Sequence, residues 1–429
     1  MKSIFIVFLL LFCTALISCS GDHSIVQPKD YEVSLKDEGR KSLANCTEEI
    51  LFWSHKLDKT PTSAGYQSKL AGTYAKRFSI TGAIEDTFIS DSLYKASLTL
   101  DSGRVGAYQA LAVNCMARHE FRQARNYVNK ALKIGDNKSS SLFALFDINM
   151  ELGDYAGAKF VIGQFENKSA FAYLIRQAKI DDKEGHLNLA IEAMERALDR
   201  IKEDPAMYCW TLSNLGDMYG HAGKVEDAYK AYLDVLKKAP NNDIALKGIA
   251  WIALSHDHNP AEAKRIANTL STRKEMPDMH LLLAKIAEQE GDYKEENKQL
   301  NLFKTKASGP KYGAMYNKYI ALLEAEKFSN PERTVEIATI EIQNRPTPQS
   351  YDLLAWGYFQ SGNTAKAIAV ATQKIEARTF EPEAYYHLGM MYTSIDKRKS
   401  ETYLEKALKS SFELGPAITA KIRGQLNHM

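Results

Sequence analysis

Apolar residues recur three and four positions apart along almost the whole chain, the spacing of one face of an α-helix, and long stretches lack the alternation of strands. The clearest window runs from Cys209 to Asn242. Leu212, Leu215 and Tyr219 share a face and predict a first helix, which Gly223 ends by permitting a left-handed turn. A second helix carrying Ala228, Tyr232 and Leu236 follows, and Pro240 closes it. Gly216 is read as the small residue where the two antiparallel helices touch, and Ala228 as the one where the second helix meets the next unit.

This register propagates. Equivalents of Gly216 are Ala112, Phe146, Ala178, Ala250, Ala284, about Ile320, Ala355 and Gly389, in steps of 32 to 38 residues. Twelve residues after the contact position a second small residue appears as Ala124, Ala158, Ala190, Ala228 and Ala367, with Ala263 one place late. Glu296, Glu332 and Glu401 break the rule, so those units read as degenerate. Gly153, Gly185, Gly223, Gly291 and Gly362 mark the turn within a unit, with Asp257 and Asp396 as polar substitutes. An earlier pair is predicted from Tyr66, Leu70, Ala71 and Tyr74, then Leu93, Ala96, Leu98 and Leu100. The loop between them, roughly Ser79 to Asp86, reads as longer than usual, and Glu48 to Leu57 as an added helix.

In residue type and spacing the window from Cys209 closely resembles the tetratricopeptide repeat (TPR), a helix–turn–helix of about 34 residues. The resemblance implies an all-α fold, a solenoid of nine or ten antiparallel helix pairs coiled into a right-handed superhelix over residues 48–413. A C-terminal capping helix is expected over 414–429, because a terminal repeat needs a cover with a polar outer face. In this family, set positions of each first helix line the concave groove. Carried onto this chain they give Trp210, Ser213 and Asp217, then Lys247, Trp251 and Leu254, then Asp352, Trp356 and Phe359, and finally Tyr386 and Met390. Tryptophan is enriched at binding hot spots, and three of the four tryptophans fall in this set. The next position toward the C-terminus from each contact residue reads Val113, Asp147, Lys179, Asp217, Trp251, Lys285, Ala321, Trp356 and Met390. It holds no asparagine, so the lysine–asparagine clamp by which chaperone-binding members hold a peptide carboxylate is not expected.

The N-terminus departs from the helical pattern. Lys2 precedes an uncharged apolar run from Ile4 to Ile17. A bilayer-spanning helix needs about 20 residues, so residues 1–18 read as a secretory signal. Leu16-Ile17-Ser18-Cys19 resembles the lipobox of bacterial lipoproteins, which implies cleavage before Cys19 and a diacylglycerol on its thiol. Ser18 supplies the small residue the peptidase needs, whereas Phe12 makes Cys13 a poorer candidate. Residues 19–47 are expected to form a lipidated polar tether, with a possible first helix, that lets the folded part stand off the membrane. Ser20 in place of the aspartate that marks inner-membrane retention in some such proteins points to the outer membrane.

Composition narrows the function. The 55 Lys and Arg nearly balance the 53 Asp and Glu, which gives no electrostatic footprint for nucleic acid. Cys46, Cys115 and Cys209 are scattered without C-x-x-C spacing, so no zinc or thioredoxin-like site is read. His256-Asp257-His258 has two imidazoles and a carboxylate but no third ligand at fixed spacing, and reads as a solvated turn rather than a metal site. No phosphate-binding glycine motif, G-x-S-x-G elbow or H-E-x-x-H occurs. No cofactor and no enzymatic activity are therefore expected. The expected function is a membrane-tethered scaffold of the bacterial envelope, binding another envelope protein or peptide segment in the groove. The alternative is a glycan- or nutrient-binding surface lipoprotein, although such proteins usually interrupt the array with long insertions that this chain lacks.

Overall fold

The computed structural model describes residues 24–36 and 39–429. The expected signal segment and Cys19 lie outside the described residues. Helices α1 (Glu32–Lys36) and α2 (Arg40–Lys59) precede ten antiparallel pairs. These are α3 (Ala64–Thr81) with α4 (Glu85–Leu100), α5 (Val105–Ala117) with α6 (Phe121–Ile134), α7 (Lys138–Glu151) with α8 (Tyr155–Ile162), and α9 (Phe171–Lys183) with α10 (Leu187–Asp199). Next come α11 (Pro205–His221) with α12 (Val225–Lys238), α13 (Asp243–Ser255) with α14 (Pro260–Arg273), and α15 (Asp278–Glu290) with α16 (Tyr293–Ala307). The last three are α17 (Asn317–Glu326) with α18 (Pro331–Asn344), α19 (Pro348–Gln360) with α20 (Thr364–Lys374), and α21 (Pro382–Tyr392) with α22 (Lys397–Leu408). Helix α23 (Ser411–Asn427) ends the chain, kinked where Gly415 leaves helical geometry before Pro416.

Local chemistry sets the turns inside the pairs. Gly153, Gly291 and Gly362 take positive φ. The residue after each, Asp154, Asp292 or Asn363, caps the second helix by accepting the amide hydrogen of Gly157, Glu295 or Lys366. Gly82 ends α3 so abruptly that the predicted long loop shrinks to Gly82–Ile84, and α2 begins at Arg40 rather than near Glu48.

The contact register is observed nearly as read, with Ala112, Phe146, Ala178, Ala250, Ala284 and Ala355 all buried. In α17 the buried residue is Ala321 rather than Ile320. The apparently degenerate units are built with small polar residues. Thr334 and Ser400 are fully buried, and their hydroxyls donate to the carbonyls of Ala321 (2.8 Å) and Gly389 (2.7 Å) on the facing helices. Glu296 is buried too, its carboxylate 2.6 Å from Lys327 Nζ of the next pair.

Successive turns of the coil touch. The Glu275 amide donates to the Thr81 carbonyl at 2.9 Å, and Lys311 pairs with Glu85 at 2.8 Å. Arg122 donates to the Gln343 carbonyl, Arg345 pairs with Glu151 at 2.8 Å, and Lys183 donates to the Arg378 carbonyl at 2.9 Å. Turns within early pairs thus rest on connections between later pairs, along one seam.

The expected polar tether is a packed element where it is described. Asp257, with its side chain fully buried, accepts from Ser24 Oγ (2.7 Å) and from the amides of Ile25 (3.1 Å) and Val26 (2.8 Å). Tyr31 is 1% exposed, hydrogen-bonded to Glu262, and Arg273 holds the carbonyls of Ser34 and Leu35. Val26, Tyr31 and Leu35 join the core of α12–α14. Burial of each such side chain stabilises by about 1.5–3 kcal/mol, enough to fix a segment that looked unstructured in sequence. The turn at His256–His258 is accordingly an anchor for the N-terminal segment, not a solvated loop.

Candidate functional site

The first helices of the later pairs face a cavity of about 720 Å3 on the concave side. Its position depends on how α11, α12 and α13 meet. The Tyr232 ring lies between α11 and α13 where side chains are missing: a Cβ on Gly248 would stand 2.3 Å from it and one on Gly216 2.7 Å. Gly216 is therefore small to admit this ring. The Tyr232 hydroxyl continues into the cavity wall and donates to Asp217 at 2.5 Å. Burial pushes the Asp217 carboxyl above its ordinary range, against the opposing effect of that hydrogen bond.

Helix α13 is capped by Asn242, whose side chain accepts the Ala245 amide hydrogen, and presents Lys247 and Trp251 one turn apart on the cavity. The Trp251 indole donates to the Phe412 carbonyl of α23 at 3.0 Å. Gly415, at φ +78°, leaves room for the same indole: a Cβ there would stand 2.9 Å away. Phe412 itself packs against Gly220 of α11. The C-terminal helix is thus more than an end cap. It crosses the concave face and forms one wall of the cavity, with Glu413 3.8 Å from His221.

Lys285 and Glu383, which the sequence reading did not select, complete this wall. Lys285 of α15 places Nζ 4.9 Å from the Trp251 ring centre, a cation–π distance. Lys318 of α17 pairs with Glu383 of α21 at 2.8 Å. Burial would raise the Glu383 carboxyl, but Lys318 and His387 outweigh it and hold it at about 2. Lys285 occupies the same repeat position as Asp217, so its place on the groove was available in the sequence. Lys318 and Glu383 meet only through the coil.

The candidate residues separate into two groups. Asp217, Lys247 and Trp251 line the cavity, and Trp210 is 39% exposed on α11. Ser213 is fully buried, against the groove position expected for it, whereas Leu254, also fully buried, borders the cavity. Near the C-terminus Asp352, Trp356 and Tyr386 are core residues, a correction to their reading as an open binding surface. His387, from the next pair, causes this. Its ring stacks on Trp356 at 4.1 Å, and its Nδ1 lies 2.7 Å from Asp352 Oδ2. The Trp356 indole donates to Glu326 at 3.0 Å, and half-buried Phe359 and Met390 close over the cluster. Burial would lower the His387 pKa, but Asp352, Glu383 and Glu326 outweigh it and hold it above the ordinary value.

Among the described residues no group of three or more potential ligands is arranged to hold a metal, and no helix is long and apolar enough to cross a membrane.

No protein-family model matches the chain. A 106-residue stretch, 23% of the chain, is 31% identical to part of superkiller protein 3 of Schizosaccharomyces pombe (strain 972 / ATCC 24843), of which it spans 7%. Among solved structures, a tetratricopeptide repeat protein from Parabacteroides merdae is 19% identical, with 61% of this chain and 98% of that one covered at a TM-score of 0.35. Yeast Tom70 is 12% identical, with 94% and 97% covered at 0.36. A human IFIT1 dimer with PPP-AAAA is 12% identical, with 72% of each covered at 0.47. The fold assignment rests on the chain's own repeat register and paired helices. On those grounds the protein is an all-α helical-repeat solenoid of the tetratricopeptide type.

Proposed function

We propose that this protein is a membrane-tethered, non-enzymatic scaffold of the bacterial cell envelope, anchored by a lipid on Cys19, that holds a segment of a partner protein on its concave face. The observation that carries the reading is made within the chain: Phe412 to Pro416 already lie on this face, gripped by Trp251 through a backbone carbonyl. A surface that binds a main-chain group beside an aromatic ring suits a peptide segment. Exposed Trp210 and Lys247 extend it beyond the part that α23 covers. The cavity interleaves Asp217, Glu288, Glu326 and Glu383 with its lysines, a lining that disfavours a polyphosphate backbone and favours protein over nucleic acid.

The anchor reading also sets a distance. Five residue steps separate Cys19 from Ser24, which is hydrogen-bonded to Asp257, so they span at most about 18 Å. A lipid on Cys19 would hold the body close to the bilayer rather than far out on a tether.

Crosslinking of the native protein in its own membranes, followed by mass spectrometry, tests the proposal. The expected result is an envelope protein joined at sites around Trp210 and Lys247. Crosslinks confined to this chain's own residues, or a Cys19→Ser protein that stays in the membrane fraction, would sink the corresponding half of the reading.

A further inference from the structure

Two of the lysines that line the concave cavity, Lys247 and Lys285, stand next to Trp251. Neither Lys247 nor Lys285 forms an ion pair among the described residues, although both line the cavity. The neighbouring carboxylates are engaged elsewhere. Glu383 is held by Lys318 at 2.8 Å, Glu288 and Glu296 by Lys327 at 2.7 and 2.6 Å, and Asp217 accepts from Tyr232. Lys285 is exposed into the cavity, and partial desolvation by the surrounding helices pulls its pKa down, against the opposing charges of Glu383 and Glu288. Partial desolvation of an ammonium group carries a cost that a bound anion reduces. The Trp251 ring beside it offsets only part of that cost.

Around this charge the wall is apolar. Trp251, Leu281, Leu322 and Ile418 line the same cavity. A volume of about 720 Å3 lies within the range of small-molecule sites. The nearby carboxylates Glu288, Glu326 and Glu383 oppose a multiply charged ligand such as a phosphate ester and leave room for one negative charge.

We infer that this cavity binds a small organic monoanion, a carboxylate on an aromatic or apolar body, with the carboxylate at Lys285 and Lys247 and the body against Trp251. Helix α23 forms one side of the site, so a bound ligand contacts the C-terminal segment as well as the repeats. The inference goes beyond the scaffold reading and does not rest on it, although Lys247 and Trp251 serve both, since it concerns a small anion in the cavity rather than a protein segment on the face.

The test is calorimetric titration of the full chain with 2-naphthylacetate and, as a match of opposite charge, 2-naphthylmethylammonium. The anion is expected to bind at one site and at least about tenfold more tightly than the cation, the range of a charge-assisted hydrogen bond. Lys285→Met should abolish that preference and, with no ligand present, leave folding nearly unchanged, as at other exposed positions. A purely structural lysine would not give both effects. Lys247→Met, at an exposed position, should weaken anion binding without affecting folding. Equal affinity for the two probes, no binding of naphthylacetate at millimolar concentration, or an anion preference that survives both substitutions would overturn the inference.

Discussion

The indole of Trp251 donates its hydrogen to the backbone carbonyl of Phe412, 161 residues further along the chain, at 3.0 Å. This bond ties the middle of the repeat array to its last helix across the concave face. A buried hydrogen bond of this kind contributes about 0.5–1.5 kcal/mol net. Trp251→Phe removes the donor and keeps the aromatic body. It is expected to speed amide exchange across Ser411–Asn427 while leaving helices α3 to α10 unchanged. Uniform exchange in the variant and the parent would show that the bond does not hold α23 in place.

Gly248→Ala tests the fit of the Tyr232 ring. The added methyl would lie 2.3 Å from a ring fixed between two helices. Overpacking of this sort costs about 1–3 kcal/mol. Urea denaturation should show that loss in the single variant and little further loss when Gly248→Ala is added to Tyr232→Ala, since the ring that clashes is then absent. Additive losses would mean that the glycine serves another purpose.

The N-terminal segment should detach in acid. Burial pushes the Asp257 carboxyl up, but hydrogen bonds from His256, Val26, Ser24 and Ile25 outweigh it and hold the pKa below the ordinary value. A depressed carboxyl contributes stability that is complete above the unfolded value, about 3.9, and is lost as pH falls through the lower folded value. Proteolysis with pepsin is therefore expected to spare residues 24–36 at pH 4.5 and cut them at pH 2. Asp257→Ala should expose the segment to proteases already at pH 7.

His119 acts at a higher pH. Its backbone lies at φ +60° and its carbonyl accepts from Asn344 across the seam. Burial, helped by the charge of Arg345, lowers its pKa to about 4. The unfolded chain takes up this proton from about 6.5 downward while the folded one does not, so stability falls as pH drops from 6.5 toward 4. His119→Asn, whose side chain tolerates positive φ, should lose less stability than the parent between pH 7 and pH 5 in matched urea titrations.

The helix pairs were readable in the chain because every cause of them is local. Turn glycines, the Asp or Asn caps after them and small contact residues recur within each unit. Thr334 and Ser400 break the alanine register because a small hydroxyl residue fits such a space if its oxygen finds a carbonyl on the facing helix. The groove was only half readable. Trp251 and Trp356 occupy the same repeat position, but the residue that decides exposure belongs to other pairs. His387 stacks over Trp356, whereas Trp251 meets the cavity and α23. Segment 24–36 gave no signal at all, since Tyr31 and Val26 find their partners more than 200 residues away.

An array whose pairs touch only their neighbours can fray from either end, one unit at a time. The seam changes that behaviour here. The Thr81 carbonyl is met by Glu275, and Glu151 by Arg345, so each half of the coil is a lateral support for the other. Such closures span loops of about 200 residues, whose ordering is paid late and slows folding. The coil is therefore expected to melt as one cooperative body. Terminal pairs cannot be trimmed from it singly, because each pair removed unsupports a partner on the opposite turn.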